Sequence, residues 1–240
     1  MDITLIYFDF PFWRAEVSRI ALFMGGIEFN DRRIDSEEFQ RVKSNGCLDD
    51  GTLIPFGQLP VLVVNGVSVA QTGGIARFCG KLADLYPKDD DFLAAQIDQF
   101  IDFQTDIYSL ILFSGKDVSE KQKLLNREEL VAGELKTKLK MLEDNLSDSG
   151  SWSVGSNMSI ADLALWRNMG WLVSGTIDGI PKNVLHEFQK IKGICSLVDK
   201  HPEVVELMSR TYSKHYPRGS FEYKLHPLLK IGLASITTVM

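Results

Sequence analysis

The apolar positions in the first third of the chain alternate between short strand-like runs and helical repeats. The pattern gives a strand at residues 3–8, a helix at 14–25, a strand at 29–34 and a short helix at 36–43. Two more apolar runs flank Asn65-Gly66, a pair that favours a type I′ turn between antiparallel strands. A last helical repeat follows this hairpin. The pattern therefore predicts an α/β domain with the order βαβαββα over residues 1–83.

From residue 91 onward the strand pattern fades and long amphipathic helical repeats take over. One repeat contains Leu124, Leu125, Leu130, Val131, Leu135, Leu139 and Leu142. Residues 84–90 between the two regions are polar, charged and contain a proline, a composition typical of a linker. We therefore predict an all-α domain over residues 91–217, followed by a C-terminal tail at 218–240.

The segment NMSIADLALW contains a sharp helix start. Ser159 can cap the first turn while Asp162, three residues later, reaches back to it, as in a capping box. The residues from Leu163 to Val173 are apolar nearly all round, which is typical of a helix in the centre of a bundle. We expect a structural role for this helix.

Composition narrows the classes of function. The 240 residues are 45% hydrophobic and carry a formal net charge of −6 with no basic stripe, so nucleic acid is not expected as a partner. The first residues lack a signal-peptide pattern and no apolar run reaches the length of a membrane span, so we expect a cytoplasmic protein with no membrane partner. Its three cysteines are widely spaced, which indicates reduced, partly buried thiols rather than disulfides or a zinc site.

Two features at the ends of the hairpin suggest a ligand site. Pro60 opens the first hairpin strand, where its missing N–H leaves neighbouring backbone groups for another partner. The hairpin ends at Gln71-Thr72-Gly73-Gly74, which begins a helix, and the free amides of a helix start bind carboxylates or phosphates. The alternative is that Thr72 is a plain N-cap.

These segments together resemble the cytosolic glutathione transferases over residues 1 to about 215. The resemblance rests on PFGQLPVL, AQTGGIARF and SNMSIADLALW in this order, and LIYFD and RAE are similar to the sigma class, which includes glutathione-dependent prostaglandin D synthases. It implies a thioredoxin-like N-terminal domain, a homodimer, and glutathione as substrate or cofactor in a detoxification enzyme. The implied reaction is conjugation to a small apolar electrophile, with isomerisation as an alternative. A non-enzymatic binding or structural protein on the same fold, such as a lens crystallin, remains a further alternative.

The resemblance also implies roles for individual residues. Tyr7 and Arg14 are the expected catalytic residues. The expected glutathione-binding residues are Phe39, Lys43, Gln58, Leu59, a cis Pro60, Gln71, Thr72 and, from the partner subunit, Asp102. The electrophile pocket is expected at Phe10, Phe12, Trp13, Tyr108 and Phe113. Phe39 and Gln58 stand where the family usually has Trp and Lys, which predicts weaker binding of the glycyl end of glutathione.

A tyrosine suits this chemistry because a free thiol has a pKa of about 8.5 and only its thiolate attacks electrophiles well. One charge-assisted hydrogen bond is worth about 1.5–3 kcal/mol, enough to lower the thiol pKa by one to two units. The alternative is that Tyr7 is a core residue with a satisfied hydroxyl. A thioredoxin-type oxidoreductase is disfavoured because YFDFPFWRAE contains no cysteine.

Two regions leave their roles open. Asp98, Asp102 and Asp106 form a repelling stripe along one helix that favours a nearby cation, or else a solvated acidic face. Some sigma-class members bind a metal there, but Thr105 replaces one acid, so we expect no metal. The long segment 44–57 either covers the site or decorates the surface.

Overall fold

A four-stranded mixed sheet with helices forms the first part of the chain. The computed structural model describes residues 1–9, 13–148 and 151–212. The elements are β1 (Ile3–Phe8), α1 (Glu16–Met24), β2 (Asn30–Ile34), α2 (Ser36–Asn45), β3 (Val61–Val64), β4 (Val67–Ala70) and α3 (Thr72–Leu82). The strand order is β2-β1-β3-β4, with β1 parallel to β2 and the other pairs antiparallel. The predicted order βαβαββα is confirmed.

The β3–β4 hairpin closes through the predicted two-residue turn. Asn65 and Gly66 have φ angles of 49° and 83°, the left-handed pair that a type I′ turn requires. The Asn65 side chain also accepts a hydrogen bond from the Asp2 backbone N–H at 2.9 Å. The turn is thus tied to the start of β1, which fixes the register of the sheet beside the site.

The segment between α2 and β3 packs against the sheet. Cys47 and Leu53 form an isolated antiparallel bridge, and Leu48 and Ile54 are buried in a hydrophobic cluster with Ile6 of β1. Residues 55–57 form a short 3-10 turn in which Phe56 is exposed. The two buried side chains make this segment part of the domain core rather than a free loop.

The second part of the chain is helical, as predicted. Its helices are α4 (Asp91–Ser114), α5 (Glu120–Ala132), α6 (Glu134–Asn145), α7 (Ile160–Val173), α8 (Gln189–Asp199) and α9 (Pro202–Thr211). The predicted leucine repeat is divided between α5 and α6 at Gly133, and Leu124 and Leu125 are exposed while Leu135 and Leu139 are buried. No helix in the described ranges is long and apolar enough to cross a membrane. The domain limits at 83 and 90 fall between α3 and α4 and stay predictions, and the tail at 218–240 lies outside the described residues.

The buried helix α7 begins at the predicted capping box. One carboxylate oxygen of Asp162 accepts hydrogen bonds from the Ser159 backbone N–H at 2.7 Å and from its hydroxyl at 3.0 Å. The other oxygen accepts from the Ser153 backbone N–H at 2.7 Å. Every residue of α7 is buried, and the helix packs against α1, α4 and α8. It therefore joins the sheet domain to the helical part directly behind the cavity described next.

Candidate active site

A cavity of about 300 Å³ lies at the carboxyl end of β1. It is lined by Tyr7, Phe8, Trp13, Arg14, Phe39, Gln58, Leu59, Pro60, Gln71, Thr72 and Tyr108. All but Tyr108 come from the sheet domain, and Tyr108 comes from α4. Aromatic and apolar groups lie beside a few polar ones here, and the lining residues that the structure describes include one cation, Arg14, and no carboxylate. Such a cavity suits a polar ligand held beside an apolar reaction partner.

Pro60 lies at one wall of this cavity. The Leu59–Pro60 peptide bond is cis, as the family resemblance implied. Gln58 and Leu59 precede it along the same wall, and β3 begins directly after it. A strand that begins at a proline thus presents the preceding backbone to the cavity instead of to a neighbouring strand.

The start of α3 forms the wall beside Gln58. Gln71 is the N-cap, with a left-handed φ of 75° and no capping hydrogen bond from its side chain. Thr72 is the first helical residue, so the alternative that Thr72 is a plain N-cap is wrong. Its hydroxyl is buried and has no hydrogen-bond partner among the described residues. The free hydroxyl and the positive end of the helix dipole together suit a carboxylate of a ligand.

Tyr7 has the surroundings of a proton donor. Its side chain is 3% exposed, and the Arg14 backbone N–H donates a hydrogen bond to its hydroxyl. Burial raises the pKa of Tyr7 well above its usual value, Tyr108 adds to the rise, and the charges of Arg14 and Arg167 oppose it. The phenol is therefore neutral at physiological pH and has a proton to donate to an anion.

Tyr108 is stacked between charged and aromatic groups. The Arg14 guanidinium carbon lies 3.8 Å from the centroid of its ring, which is cation–π distance. Trp171 of α7 packs on the same ring with a centroid distance of 4.6 Å, and Trp13 lies 6.2 Å from Trp171. These contacts hold Arg14 against the cavity wall next to Tyr7.

Comparison with protein families assigns both halves of the chain. Residues 3–80 match the model described as glutathione S-transferase, N-terminal domain, and residues 101–210 match glutathione S-transferase, C-terminal domain. The chain is a member of the glutathione S-transferase family. As in that family, glutathione is its substrate or cofactor.

Individual relatives agree with this assignment. Hematopoietic prostaglandin D synthase of Mus musculus is 29% identical over 205 residues, covering 83% of this chain and 96% of the relative. Glutathione S-transferase 1 of Ascaris suum is 31% identical, covering 67% of this chain and 75% of the relative. The solved structure of prostaglandin synthase D of Nilaparvata lugens has a TM-score of 0.76 at 23% identity, covering 89% of this chain and all of that one, and supports the fold.

In this glutathione S-transferase the cavity brings together most of the residues expected from the sequence. The predicted residues that line it are Tyr7, Trp13, Arg14, Phe39, Gln58, Leu59, Pro60, Gln71, Thr72 and Tyr108. Phe10 and Phe12 lie outside the described residues. No residue of the segment 44–57 is among the lining residues. Roles in binding and catalysis stay predictions for all of them.

Three predicted residues lie away from the lining. The Lys43 ammonium is 5.4 Å from the centroid of the Phe39 ring, and Lys43 is exposed. Phe113 is 67% exposed near the end of α4. Asp102 is also exposed and pairs with Arg77, and its role toward a partner subunit stays a prediction.

A protein cation meets the acidic stripe on α4. The Arg77 guanidinium pairs with Asp98 at 2.7 Å and with Asp102 at 2.8 Å, and Asp106 pairs with Lys138 at 3.6 Å. Arg77 and Lys138 thus neutralise the aspartates, whose mutual repulsion had predicted a nearby cation. Within the ranges that the structure describes, no group of three or more His, Cys, Asp or Glu side chains could hold a metal ion.

Sequence reasoning missed three residues of this region. Phe8 follows Tyr7 on β1 and lines the cavity. Trp171 and Arg167 lie one turn apart on α7, and both approach the Tyr108 ring from behind the wall. The signal for Arg167 was an arginine inside an otherwise apolar helix, which a buried helix tolerates only with a reason.

Proposed function

We propose that this glutathione S-transferase lowers the pKa of the glutathione thiol through Tyr7 and adds the thiolate to small apolar electrophiles. The observation that carries the proposal is the neutral, buried Tyr7 hydroxyl at a cavity that also has the helix start of α3. A neutral phenol donates a hydrogen bond to a thiolate without a general base, because the thiol proton is released to solvent when the anion is stabilised.

The glutathione tripeptide would lie along the sheet side of the cavity. Its γ-glutamyl carboxylate would accept hydrogen bonds from the Thr72 hydroxyl and from the free amides at the start of α3, and its cysteinyl backbone would pair beside Leu59. Phe39 and Gln58 would contact the glycyl end, with Lys43 behind them. This placement leaves the thiol next to Tyr7 and Arg14.

The aromatic side of the cavity would receive the electrophile. Trp13 and Tyr108 provide apolar contact there, with Phe10, Phe12 and Phe113 as further expected contributors. In conjugation to an aryl halide, the thiolate sulfur forms a bond to the ring carbon, the carbon–halogen bond breaks, and halide leaves with the electron pair. Arg14 stabilises the negative charge that passes through this region.

The test is the Tyr7→Phe variant, assayed with glutathione and chlorodinitrobenzene. Loss of one charge-assisted hydrogen bond of about 1.5–3 kcal/mol should lower kcat/KM roughly 10- to 150-fold and leave the dissociation constant of glutathione nearly unchanged. The pH at which activity is half-maximal should rise by one to two units. Unchanged turnover in a folded variant would remove Tyr7 from the mechanism.

A second candidate activity is isomerisation with glutathione as a cofactor. It is favoured by the match to hematopoietic prostaglandin D synthase, which covers 96% of that relative. The discriminating measurement is glutathione-dependent formation of prostaglandin D compared with conjugation of chlorodinitrobenzene by the same preparation. Glutathione that remains unconsumed while product accumulates would identify the isomerase.

The same proposal includes a cytoplasmic homodimer that acts in detoxification. Its support is the outward position of Asp102, which we expect to reach toward the glutathione ammonium in the site of the partner subunit. Sedimentation of the protein with and without glutathione tests the assembly. In a dimer, Asp102→Asn should weaken glutathione binding without changing the environment of the cavity in its own chain.

A further inference from the structure

Arg167 is a buried cation without an acidic partner among the residues that the structure describes. Its side chain lies in the middle of α7 and the residue is 5% exposed. Among the described residues, Arg167 makes one hydrogen bond, from a guanidinium nitrogen to the side-chain oxygen of Asn168, and it is long at 3.4 Å. The Nε atom is buried and unpartnered, and no carboxylate of the described residues forms an ion pair with Arg167. Arg19, the other fully buried arginine of the described chain, pairs with Glu16 and Asp31.

The position of Arg167 connects it to the cavity. Its guanidinium carbon lies 5.8 Å from the centroid of Tyr108, whose ring lines the cavity and carries Arg14 at 3.8 Å. The charged and titratable groups that act on Arg167 are Arg14, Tyr108 and Tyr7. Two cations therefore approach one cavity wall, and the described lining residues include no carboxylate to neutralise them.

Asn168 links Arg167 to Gln104 of α4. The Asn168 side-chain amide donates to the Gln104 side-chain oxygen at 2.9 Å and to the Gln104 backbone oxygen at 3.3 Å. This arrangement turns the Asn168 oxygen toward Arg167. Gln104 precedes Tyr108 by one helical turn on α4, so the network and the stacked ring belong to the same contact between α4 and α7.

A buried charge of this kind is costly to fold. The pKa of Arg167 is lowered to about 10, mainly by burial and also by the charge of Arg14, while Tyr108 and Tyr7 oppose the shift. The guanidinium is therefore still protonated at neutral pH, and the fold carries an uncompensated desolvation penalty. A group that destabilises the empty protein is expected to act on a charge that appears during function.

We propose that Arg167 is a second, buried positioning cation of the site, whose charge beside Tyr108, Arg14 and Tyr7 stabilises the thiolate of bound glutathione. This inference rests on the proposed function, because the anion it acts on is the glutathione thiolate. Arg167 acts through the wall rather than by touching the sulfur. A unit charge roughly 10 Å from a thiolate shifts its pKa by about one unit at an effective dielectric constant of about 20.

The test is the pKa of the bound thiol in Arg167→Met, measured from the near-ultraviolet absorbance of the thiolate as pH is varied. Methionine fills much of the same volume without charge, and apolar replacements of buried charges are often neutral or stabilising. We expect the thiol pKa to rise by about one unit, the glutathione dissociation constant at low pH to change less than twofold, and the thermal midpoint to stay equal or rise. A purely structural arginine gives the opposite pattern, with a lower midpoint and an unchanged thiol pKa.

Two further variants make the measurement selective. Arg167→Lys keeps the charge and should recover part of the parent thiol pKa. Arg127→Met removes a cation from α5 that contacts Ser114 and the Asp178 carbonyl and is not among the described residues that line the cavity, and it should leave the thiol pKa unchanged. Because the charge is buried, the effect of Arg167 should persist when salt is raised from about 0.05 to 0.5 M, whereas a surface charge would be screened.

The outcomes separate this inference from the proposed function. A shift below about 0.2 units in folded Arg167→Met, with the parent thiol pKa well below that of free glutathione, overturns the role of Arg167 alone. A parent protein that does not bind glutathione, or that binds it with an unshifted thiol, overturns the proposed function and this inference with it. If Arg167→Met does not fold, Arg167→Lys decides, because a thiol pKa within about half a unit of the parent value supports the charge and a larger rise contradicts it.

Discussion

Removal of the Asp162 carboxylate should destabilise the protein by more than the loss of one helix cap, because three hydrogen bonds end on this carboxylate. In Asp162→Ala the backbone N–H groups of Ser153 and Ser159 lose partners at 2.7 Å, and the Ser159 hydroxyl loses one at 3.0 Å. Each buried donor left without a partner costs about 1–3 kcal/mol, and the loss of a cap costs about 1 kcal/mol. We expect the free energy of unfolding to fall by about 3–5 kcal/mol.

This loss is large enough to measure by two methods. For a chain of this size each kcal/mol shifts the thermal midpoint by about 2–4 °C, so the midpoint should fall by roughly 6–20 °C. Guanidinium denaturation followed by tryptophan fluorescence should show the same loss, since Trp166 and Trp171 lie on α7. Protein concentration must be held constant, because dimer formation would contribute to the measured stability.

Two control variants bracket the expected effect. Asp144 is exposed on α6 and pairs with Lys140, so Asp144→Ala should change the free energy of unfolding by less than about 0.5 kcal/mol. Ser159→Ala removes one hydroxyl of the capping box and should cost about 1 kcal/mol. If Asp162→Ala were no more destabilising than Asp144→Ala, the view that this carboxylate anchors α7 would be refuted.

Two further predictions follow from unpartnered or buried groups. Thr72→Val removes a hydroxyl that has no partner among the described residues. Glutathione should therefore bind about 5- to 10-fold more weakly by calorimetry, while the free energy of unfolding stays equal or rises. Equal affinity would show that the hydroxyl does not contact the ligand. Burial raises the pKa of Cys79 to about 12 and raises that of Cys195 well above its usual value, so at pH 8 both are protonated thiols. A disulfide reagent should then label one cysteine quickly, the half-exposed Cys47, and all three only after denaturation; two fast equivalents in the native protein would contradict this.

Local chemistry made parts of this fold predictable from sequence. The Asn65-Gly66 turn and the Ser159–Asp162 box depend on residues within a few positions of each other, so their geometry is encoded where they stand. The periodicity of the leucines after residue 120 predicted a helical region. It did not predict the break between α5 and α6 at Gly133, because a single glycine does not interrupt a helical pattern.

The composition of the cavity was predictable only through the family resemblance. Tyr7, Pro60 and Thr72 meet because the sheet brings together segments that are far apart in the chain, and no spacing in the sequence encodes that distance. Arg167 was missed for a related reason. An arginine on an apolar helix can extend to solvent or stay buried, and the choice is made by the packing of α4 and α1 against α7.

The described part of the cavity lining is unequally divided, with ten side chains from the sheet domain and one, Tyr108, from the helical part. Over evolutionary time this division separates two kinds of change. If glutathione binds as proposed, a substitution at Tyr108 would alter the partner molecule that the thiol meets and would leave the tripeptide's contacts with the sheet domain in place. We expect a duplicated gene of this architecture to diversify its chemistry at such a position while it inherits the same cosubstrate.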